Sequence, residues 1–193
     1  MSSSSEGFVR AGPAQDTIAF LDAYEPGLHA RVEAHVGEEA IAKLTHHGRT
    51  GWIPLEHDIV FLDGLIDLLG EREARAFFRQ SVAQHFKSPL LRTLVSGAER
   101  IFGMTPHGLV KLIPRAWPMV YKDIGSPSLE KMSDTHAIVH VRDANPALAA
   151  SPGYMCAWTG VFEGVVAAGG AEAPRVNIDP HDEGHRLEIH MRW

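Results

Sequence analysis

Apolar residues recur along much of the chain at intervals of three and four positions, which is the spacing of one face of an α-helix. The clearest run is formed by Ile59, Leu62, Ile66 and Leu69, which together make a single apolar stripe. Similar runs, each ended by a glycine or a proline, predict a succession of short helices over residues 16–122. The N-terminal half is therefore predicted to be helical.

The periodicity changes in the last third of the chain. Two strands are predicted over residues 129–132 and 135–141, a long helix over 153–168, and two closing strands over 175–179 and 185–192. A helical N-terminal half followed by strand–strand–helix–strand–strand indicates an α+β fold with an antiparallel sheet.

Length and composition favour one domain. The chain has 193 residues, of which 45% are hydrophobic and 22% charged, close to the averages for globular proteins. Residues 1–15 are rich in serine and glycine and have little apolar surface to bury, so they are predicted to be a disordered tail. Residues 16–193 are predicted to form a single α+β domain.

Charge and cysteine content exclude several classes of function. The formal net charge of −6 argues against a nucleic-acid partner and against a basic membrane-binding patch, because both need clustered lysine and arginine. No apolar run approaches the ~20 residues that span a bilayer, and the N-terminus lacks the features of a signal peptide. Cys156 is the only cysteine, which excludes an internal disulfide. A cytoplasmic location is the expectation.

The predicted helix over 153–168 carries two different stripes. Bulky side chains form one of them and small residues at four-residue intervals form the other: Tyr154, Trp158, Phe162 and Val165 against Cys156, Gly160, Gly164 and Ala168. A glycine inside a helix costs about 1 kcal/mol relative to alanine. Close packing, against a neighbouring strand or the same helix of a second subunit, is the favoured compensation, and a cavity wall that leaves room for a ligand is the alternative.

A second aromatic group precedes the predicted sheet. Trp117 and Tyr121 are four residues apart, on one helical face if the helix continues past Pro118. Together with Met119 they suit an apolar pocket with one or two polar tips. The alternative, which is favoured, is that they fill the core where the helical half meets the sheet.

The 12 histidines are a compositional oddity. His185 and His190 are five positions apart on a predicted strand and therefore point to opposite faces, which argues against a metal site there. His136 and His140 share one face of their strand, and His140 is the candidate polar contact for a ligand. No metal ligand set and no cofactor are predicted.

Signatures of catalysis are missing from the sequence. There is no G-x-S-x-G elbow, no phosphate-binding glycine loop, no G-x-G-x-x-G motif and no H-E-x-x-H motif. Cys156 lies in an apolar helix, which favours an inert, packed thiol over a nucleophile. We therefore expect no enzyme and predict no catalytic residue.

Several segments resemble a family of uncharacterised bacterial proteins of about this length. They include His85-Phe86-Lys87-Ser88-Pro89-Leu90-Leu91 and Ile113-Pro114-Arg115-Ala116-Trp117. More distantly, Gly153-Tyr154-Met155-Cys156 with Gly160-Val161-Phe162-Glu163-Gly164 is similar to the 4-vinyl reductase type of ligand-binding domain, which shares its fold with haem nitric-oxide-binding domains. This resemblance implies a small or hydrophobic ligand in a pocket between helices and sheet, and often a homodimer.

The chain departs from the haem nitric-oxide-binding pattern at one motif. Those domains carry a Y-x-S-x-R motif that holds the haem propionates, and the nearest stretch here, His140-Val141-Arg142-Asp143, lacks the tyrosine and the serine. Haem is therefore a minor alternative, with His107 as the candidate ligand.

Taken together, the patterns and the resemblance predict a non-enzymatic small-molecule-binding or sensory domain. Trp117, Tyr121, Tyr154 and Trp158 are the predicted pocket walls, His140 is the predicted polar contact, and the ligand is expected to be apolar or aromatic. Two alternatives stay open: a dimeric interaction or scaffold module built on the small-residue stripe, and a haem- or metal-dependent sensor.

Overall fold

The computed structural model describes residues 6–193, and for positions 89, 90, 98, 101 and 102 it describes the backbone only. The helices are α1 (Ala11–Tyr24), α2 (Leu28–Val36), α3 (Glu38–Thr45), α4 (Leu55–Leu69), α5 (Glu71–Lys87), α6 (Pro89–Phe102), α7 (Pro106–Val110), α8 (Ile113–Val120), α9 (Pro146–Ala150) and α10 (Pro152–Ala168). Gly37 and Gly70, with φ of 92° and 76°, separate consecutive helices, because glycine adopts this backbone conformation readily.

Two antiparallel sheets complete the fold. Their strands are β1 (Phe8–Arg10), β2 (Trp52–Pro54), β3 (Tyr121–Lys122), β4 (Ser126–Met132), β5 (His136–Arg142), β6 (Arg175–His181) and β7 (Arg186–Arg192). The small sheet has the order β2-β1-β3, and the four-stranded sheet has the order β4-β5-β7-β6. The predicted α+β class, with helices first and an antiparallel sheet after them, is confirmed.

The large sheet is buried on one face only. On β5 the residues Ala137, Val139 and Val141 are fully buried, while the residues between them are half-buried or exposed. On β7 the same alternation buries Leu187, Ile189 and Met191. The side chains of odd position on β5 therefore belong to the core, and those of even position, His140 among them, belong to the outer face.

The N-terminal tail predicted over residues 1–15 is too long. Val9 is 3% exposed and pairs with Ile53 of β2 and Tyr121 of β3, so residues 8–10 are the central strand of the small sheet. Helix α1 begins at Ala11 and not at Asp16. Alanine and glycine bury little apolar area each, so composition did not signal this contact. Residues 1–5 lie outside the described part of the chain.

The two glycines of the small-residue stripe of α10 pack inside the same chain. A Cβ atom placed on Gly160 would lie 2.6 Å from the carbonyl oxygen of Arg75, and one on Gly164 would lie 2.5 Å from that of Arg79. Both carbonyls belong to α5, so the two helices meet at backbone distance. Close packing was the favoured interpretation of the stripe, but the neighbour of its glycines is helix α5 and not the predicted strand or second subunit. The homodimer stays a prediction from the sequence.

An ion pair also links helices α5 and α10. The Arg75 guanidinium donates from Nε to Oε2 of Glu163 at 2.9 Å and from Nη2 to the other carboxylate oxygen. Nη2 also lies 3.4 Å from the carbonyl oxygen of Val176, which links the pair to β6. Glu163 is 7% exposed, and the bidentate contact with the arginine satisfies both of its carboxylate oxygens.

No helix in the described range is long and apolar enough to cross a bilayer.

Candidate ligand-binding cavity

A cavity of about 200 Å³ lies among the helices. Its apolar wall is contributed mainly by α4, α5, α6, α8 and α10, with Phe61, Phe78, Leu94, Ile113 and Val161 among the lining residues. Residues of β1 and β3 close one side. The lining therefore comes from the helical layer and the small sheet.

The pocket was predicted between the helices and the large sheet, and that placement is wrong. No lining residue within the described range belongs to β4, β5, β6 or β7. Helix α10 presents Trp158 and Val161 to the cavity, and Cys156 and Thr159 to a groove shared with β6. Because α10 stands between the two, it separates the cavity from the sheet.

The four aromatic residues predicted as pocket walls all line this cavity. The ring centre of Trp158 lies 5.1 Å from that of Trp117, 5.8 Å from that of Tyr121 and 5.6 Å from that of Tyr154. Helix α8 continues past Pro118 to Val120, which brings Trp117 and Tyr121 together at 4.7 Å. The structure thus joins two aromatic groups that are far apart in the sequence.

The polar atoms of the aromatic group are fixed by hydrogen bonds. Trp158 Nε1 donates to the Tyr121 hydroxyl oxygen at 2.8 Å, and Trp117 Nε1 donates to the carbonyl oxygen of Gly125 at 2.9 Å. The Tyr154 hydroxyl donates to Oδ2 of Asp58 at 2.7 Å. Burial raises the pKa of both phenols, so both stay protonated at neutral pH. The rings are therefore held in fixed orientations around the cavity.

Asp58 is a site residue that the sequence analysis missed. It lies in the first turn of α4, is 9% exposed, and is the only carboxylate among the described residues that line the cavity. Burial raises its pKa from 3.8 to about 6, although the hydrogen bond from Tyr154 acts in the opposite direction. Its spacing of three from Leu55 and four from Leu62 places it on the buried face of α4, and this was the signal available in the sequence.

A second polar pair lies elsewhere on the wall. The Thr17 hydroxyl donates to the carbonyl oxygen of Pro13 at 3.0 Å, and its oxygen lies 3.3 Å from Nε2 of His85. Since the hydroxyl proton is already used, Nε2 of His85 is the donor in this contact. Burial lowers the pKa of His85. A neutral imidazole therefore occupies this part of the wall.

His140, the predicted polar contact, does not reach the cavity. It lies on the outer face of the large sheet, where Nε2 forms an ion pair with Glu130 and Nδ1 lies 4.0 Å from Glu188. The strand alternation explains its position, because Val139 and Val141 occupy the buried face. Within the described range, no three His, Cys, Asp or Glu residues are arranged to hold a metal ion.

The fold is similar to that of H-NOX proteins. An H-NOX variant from K. algicida in the Fe(II) unliganded state aligns over 95% of both chains with a TM-score of 0.59 and 8% identity. A variant of Tt H-NOX aligns over 95% of this chain and 94% of its own, with a TM-score of 0.60 and 11% identity. Another structure, of an H-NOX family member used to probe haem distortion, aligns over 95% of this chain and 94% of its own with a TM-score of 0.61, also at 11% identity.

At these identities the similarity shows the fold alone. It confirms the resemblance to haem nitric-oxide-binding domains at the level of architecture, and the 4-vinyl reductase part of that resemblance finds no support. No family model and no curated protein matches the sequence.

The residues around the cavity do not fit haem. His107, the candidate iron ligand, lies in α7 with its ring against Trp193 and is not among the lining residues. One histidine, His85, does line the cavity, but its Nε2 is already engaged with the Thr17 hydroxyl oxygen at 3.3 Å. The described side chains of α6 that line the cavity, Leu91, Leu94 and Val95, cannot bind iron. The cavity volume of about 200 Å³ is also below the roughly 300–1,000 Å³ of pockets that hold drug-sized ligands. A four-ring porphyrin therefore has too little room in it.

No cation on the described wall is available for the haem propionates. Arg10 is the only arginine or lysine there, and its guanidinium is used elsewhere. Nε donates to the carbonyl oxygen of Met119 at 3.1 Å, Nη1 donates to that of Thr50 at 2.6 Å, and the group lies 3.7 Å above the ring centre of Trp52. The fold is thus similar to that of H-NOX proteins, while the described wall of the cavity offers no free cation for a haem.

Proposed function

We propose that this protein is a non-enzymatic small-molecule-binding or sensory domain that holds an apolar or aromatic ligand in the helical cavity. The observation that carries the proposal is the cavity itself, about 200 Å³ in volume and bordered by Trp117, Tyr121, Tyr154 and Trp158. An apolar protein cavity of about 150 Å³ takes up benzene. This cavity therefore has room for a molecule with one or two aromatic rings.

The polar groups of the wall support binding over catalysis. Among the described lining residues Thr17 is the only one with an aliphatic hydroxyl, and its proton is donated to a backbone carbonyl. Cys156, the only thiol in the chain, faces the opposite side of α10, and burial raises its pKa to about 11. A cytoplasmic location and a homodimer accompany this proposal as predictions from the sequence.

Filling the cavity is expected to abolish ligand binding. Ala157 of α10 lines the cavity and is 4% exposed, so Ala157→Leu places additional carbon atoms in the ligand space. We expect the affinity for indole, measured by isothermal titration calorimetry, to fall at least about tenfold, because the ligand and the new side chain need the same volume.

The matched control is Ala168→Leu, which makes the same change on the exposed end of the same helix and should leave indole binding unchanged. If Ala157→Leu does not fold, Ala116→Leu on α8 fills the cavity from another wall. Unaltered indole affinity in folded cavity-filled variants would contradict the proposal, as would a wild-type protein that binds no aromatic probe.

The haem alternative has a separate test. We expect purified protein mixed with haemin to show no Soret band after gel filtration, because the cavity is small, Nε2 of its one described histidine, His85, is engaged with Thr17, and the described wall offers no free cation for the propionates. A Soret band that survives gel filtration of wild-type protein and is absent from Ala157→Leu would show that haem binds in the cavity, and would overturn this expectation.

A further inference from the structure

We propose that the ligand of the helical cavity is an apolar amine with one or two rings, whose protonated nitrogen pairs with the carboxylate of Asp58. This inference rests on the function proposed above and names the chemical class of the ligand. Its basis is a carboxylate that borders the cavity, is 9% exposed, and accepts one hydrogen bond from the described residues.

The hydrogen bonds of Asp58 are incomplete. Oδ2 accepts from the Tyr154 hydroxyl at 2.7 Å, while Oδ1 accepts no hydrogen bond from any residue in the range 6–193. An ionised carboxylate has room for two or more donors, and buried acceptors in native proteins nearly always have one. Because Asp58 lines the cavity and is 9% exposed, a bound molecule can supply the missing donor.

The charge of Asp58 is also uncompensated. The one arginine among the described lining residues, Arg10, is held by Met119 and Thr50 and stacked on Trp52. With a pKa of about 6, Asp58 is mostly ionised at neutral pH. A buried carboxylate without a counter-ion is costly, so a cationic ligand gains more here than a neutral donor of the same shape.

The aromatic group supplies the other half of the recognition. The faces of tryptophan and tyrosine rings attract cations, and a cluster of such rings is a common way to bind ammonium ligands. Tyr154 links the two halves, because it belongs to the aromatic group and donates to Asp58. A single carboxylate among the described lining residues favours a monoamine over a polyamine.

Tryptamine and 3-ethylindole form the probe pair, because they have nearly the same shape and differ in the charged nitrogen. At about pH 7.5 we expect wild-type protein to bind tryptamine at least about tenfold more tightly than 3-ethylindole, as for a hydrogen bond to a charged group. Asp58→Asn should remove this preference and leave the affinity for 3-ethylindole within about twofold. Asp67→Asn, an exposed position on the same helix, is the control and should change neither affinity.

The preference should also disappear as the pH falls below about 6, where Asp58 becomes protonated. The other titratable groups on the described wall are His85 from α5, Tyr121 from β3, Tyr154 from α10 and Arg10 from β1. Burial raises the pKa of both tyrosines, so they stay neutral over this range, and the arginine stays charged. Burial lowers the pKa of His85, which favours its neutral form. The affinity for 3-ethylindole, measured over the same pH range, is the control, because an uncharged probe does not pair with the Asp58 carboxylate.

The outcomes separate this inference from the proposal beneath it. If 3-ethylindole binds and tryptamine binds no more tightly, the cavity is a ligand site and the amine inference is overturned. If the tryptamine preference persists in Asp58→Asn, the inference is overturned as well, because the amine pairs elsewhere. If neither probe binds and Ala157→Leu changes nothing, the ligand-binding function itself fails.

Discussion

Gly160→Ala is expected to lower the free energy of unfolding by about 1–3 kcal/mol, although alanine is the better helix former. The new Cβ atom would lie 2.6 Å from the carbonyl oxygen of Arg75 and 2.9 Å from the Cβ atom of Phe78. Neither neighbour is the end of a flexible side chain, so α5 and α10 must move apart. That movement loosens the most extensive helix contact of the fold and disturbs the Arg75–Glu163 pair beside it. Chemical denaturation of the purified variant measures the loss.

Gly97→Ala is the matched control for this prediction. Gly97 lies inside α6, and a Cβ atom there meets nothing within 4 Å. The same substitution should therefore stabilise the protein by about 0.5–1 kcal/mol through helix propensity alone. If both variants shift stability in the same direction, the packing argument is wrong.

The Gly160 result also bears on the predicted homodimer. Had the small-residue stripe been a subunit contact, Gly160→Ala would leave the isolated subunit unaffected and would change only its association. Packing on α5 predicts instead a loss of stability that is independent of protein concentration. Denaturation midpoints measured at low and high concentration distinguish the two.

The order of elements was predictable because each carries a local signal. Helical stripes such as Ile59 to Leu69 and the alternation over β5 and β7 are properties of neighbouring residues, so one sequence reveals them. Strand β1 was missed because three residues next to a serine-rich stretch carry too little pattern. Its stability comes from pairing with β2 and β3, which are about 44 and 113 residues away.

The cavity was predictable only in part, for the same reason. Trp117 with Tyr121 and Tyr154 with Trp158 are each four residues apart in the sequence, the spacing of one helical face, and this spacing identified them as wall candidates, although Tyr121 begins strand β3. That the two pairs meet depends on tertiary packing. Asp58 was missed because an aspartate in a first helical turn is ordinary at a helix N-terminus, and His140 was chosen before it was known which face of β5 is buried.

Asp58 is expected to make the stability of the protein depend on pH in an unusual direction. Its pKa rises from 3.8 in the unfolded chain to about 6 in the folded one, so folding favours the protonated carboxyl. The stabilising contribution of such a group to the free energy of unfolding is fully present below about pH 4 and is lost as the pH rises through 6. This rise in the pKa of Asp58, from 3.8 to about 6, corresponds to about 3 kcal/mol of unfolding free energy. Most buried carboxylates that are ion-paired act in the opposite direction.

Asp58→Asn isolates this contribution because asparagine has the same shape, can still accept from Tyr154 and does not titrate. The difference in unfolding free energy, variant minus wild type, should increase by about 3 kcal/mol between about pH 4 and pH 8. Any constant cost of burying the amide cancels in this comparison, as do the titrations shared by both proteins. Denaturation series at several pH values measure it, and a difference that stays flat with pH would mean that Asp58 is ionised equally in the folded and unfolded states.

The same measurement with ligand present connects stability to binding. A cation paired with Asp58 stabilises the ionised carboxylate and brings its pKa in the folded state back toward the ordinary range. Saturating tryptamine should therefore abolish most of the pH-dependent loss in wild-type protein, whereas 3-ethylindole should raise stability equally at each pH. The buried carboxylate of Asp58 would then destabilise the ligand-free protein at neutral pH, and a bound cation would remove that cost. This behaviour is expected of a residue that is retained for binding and not for stability.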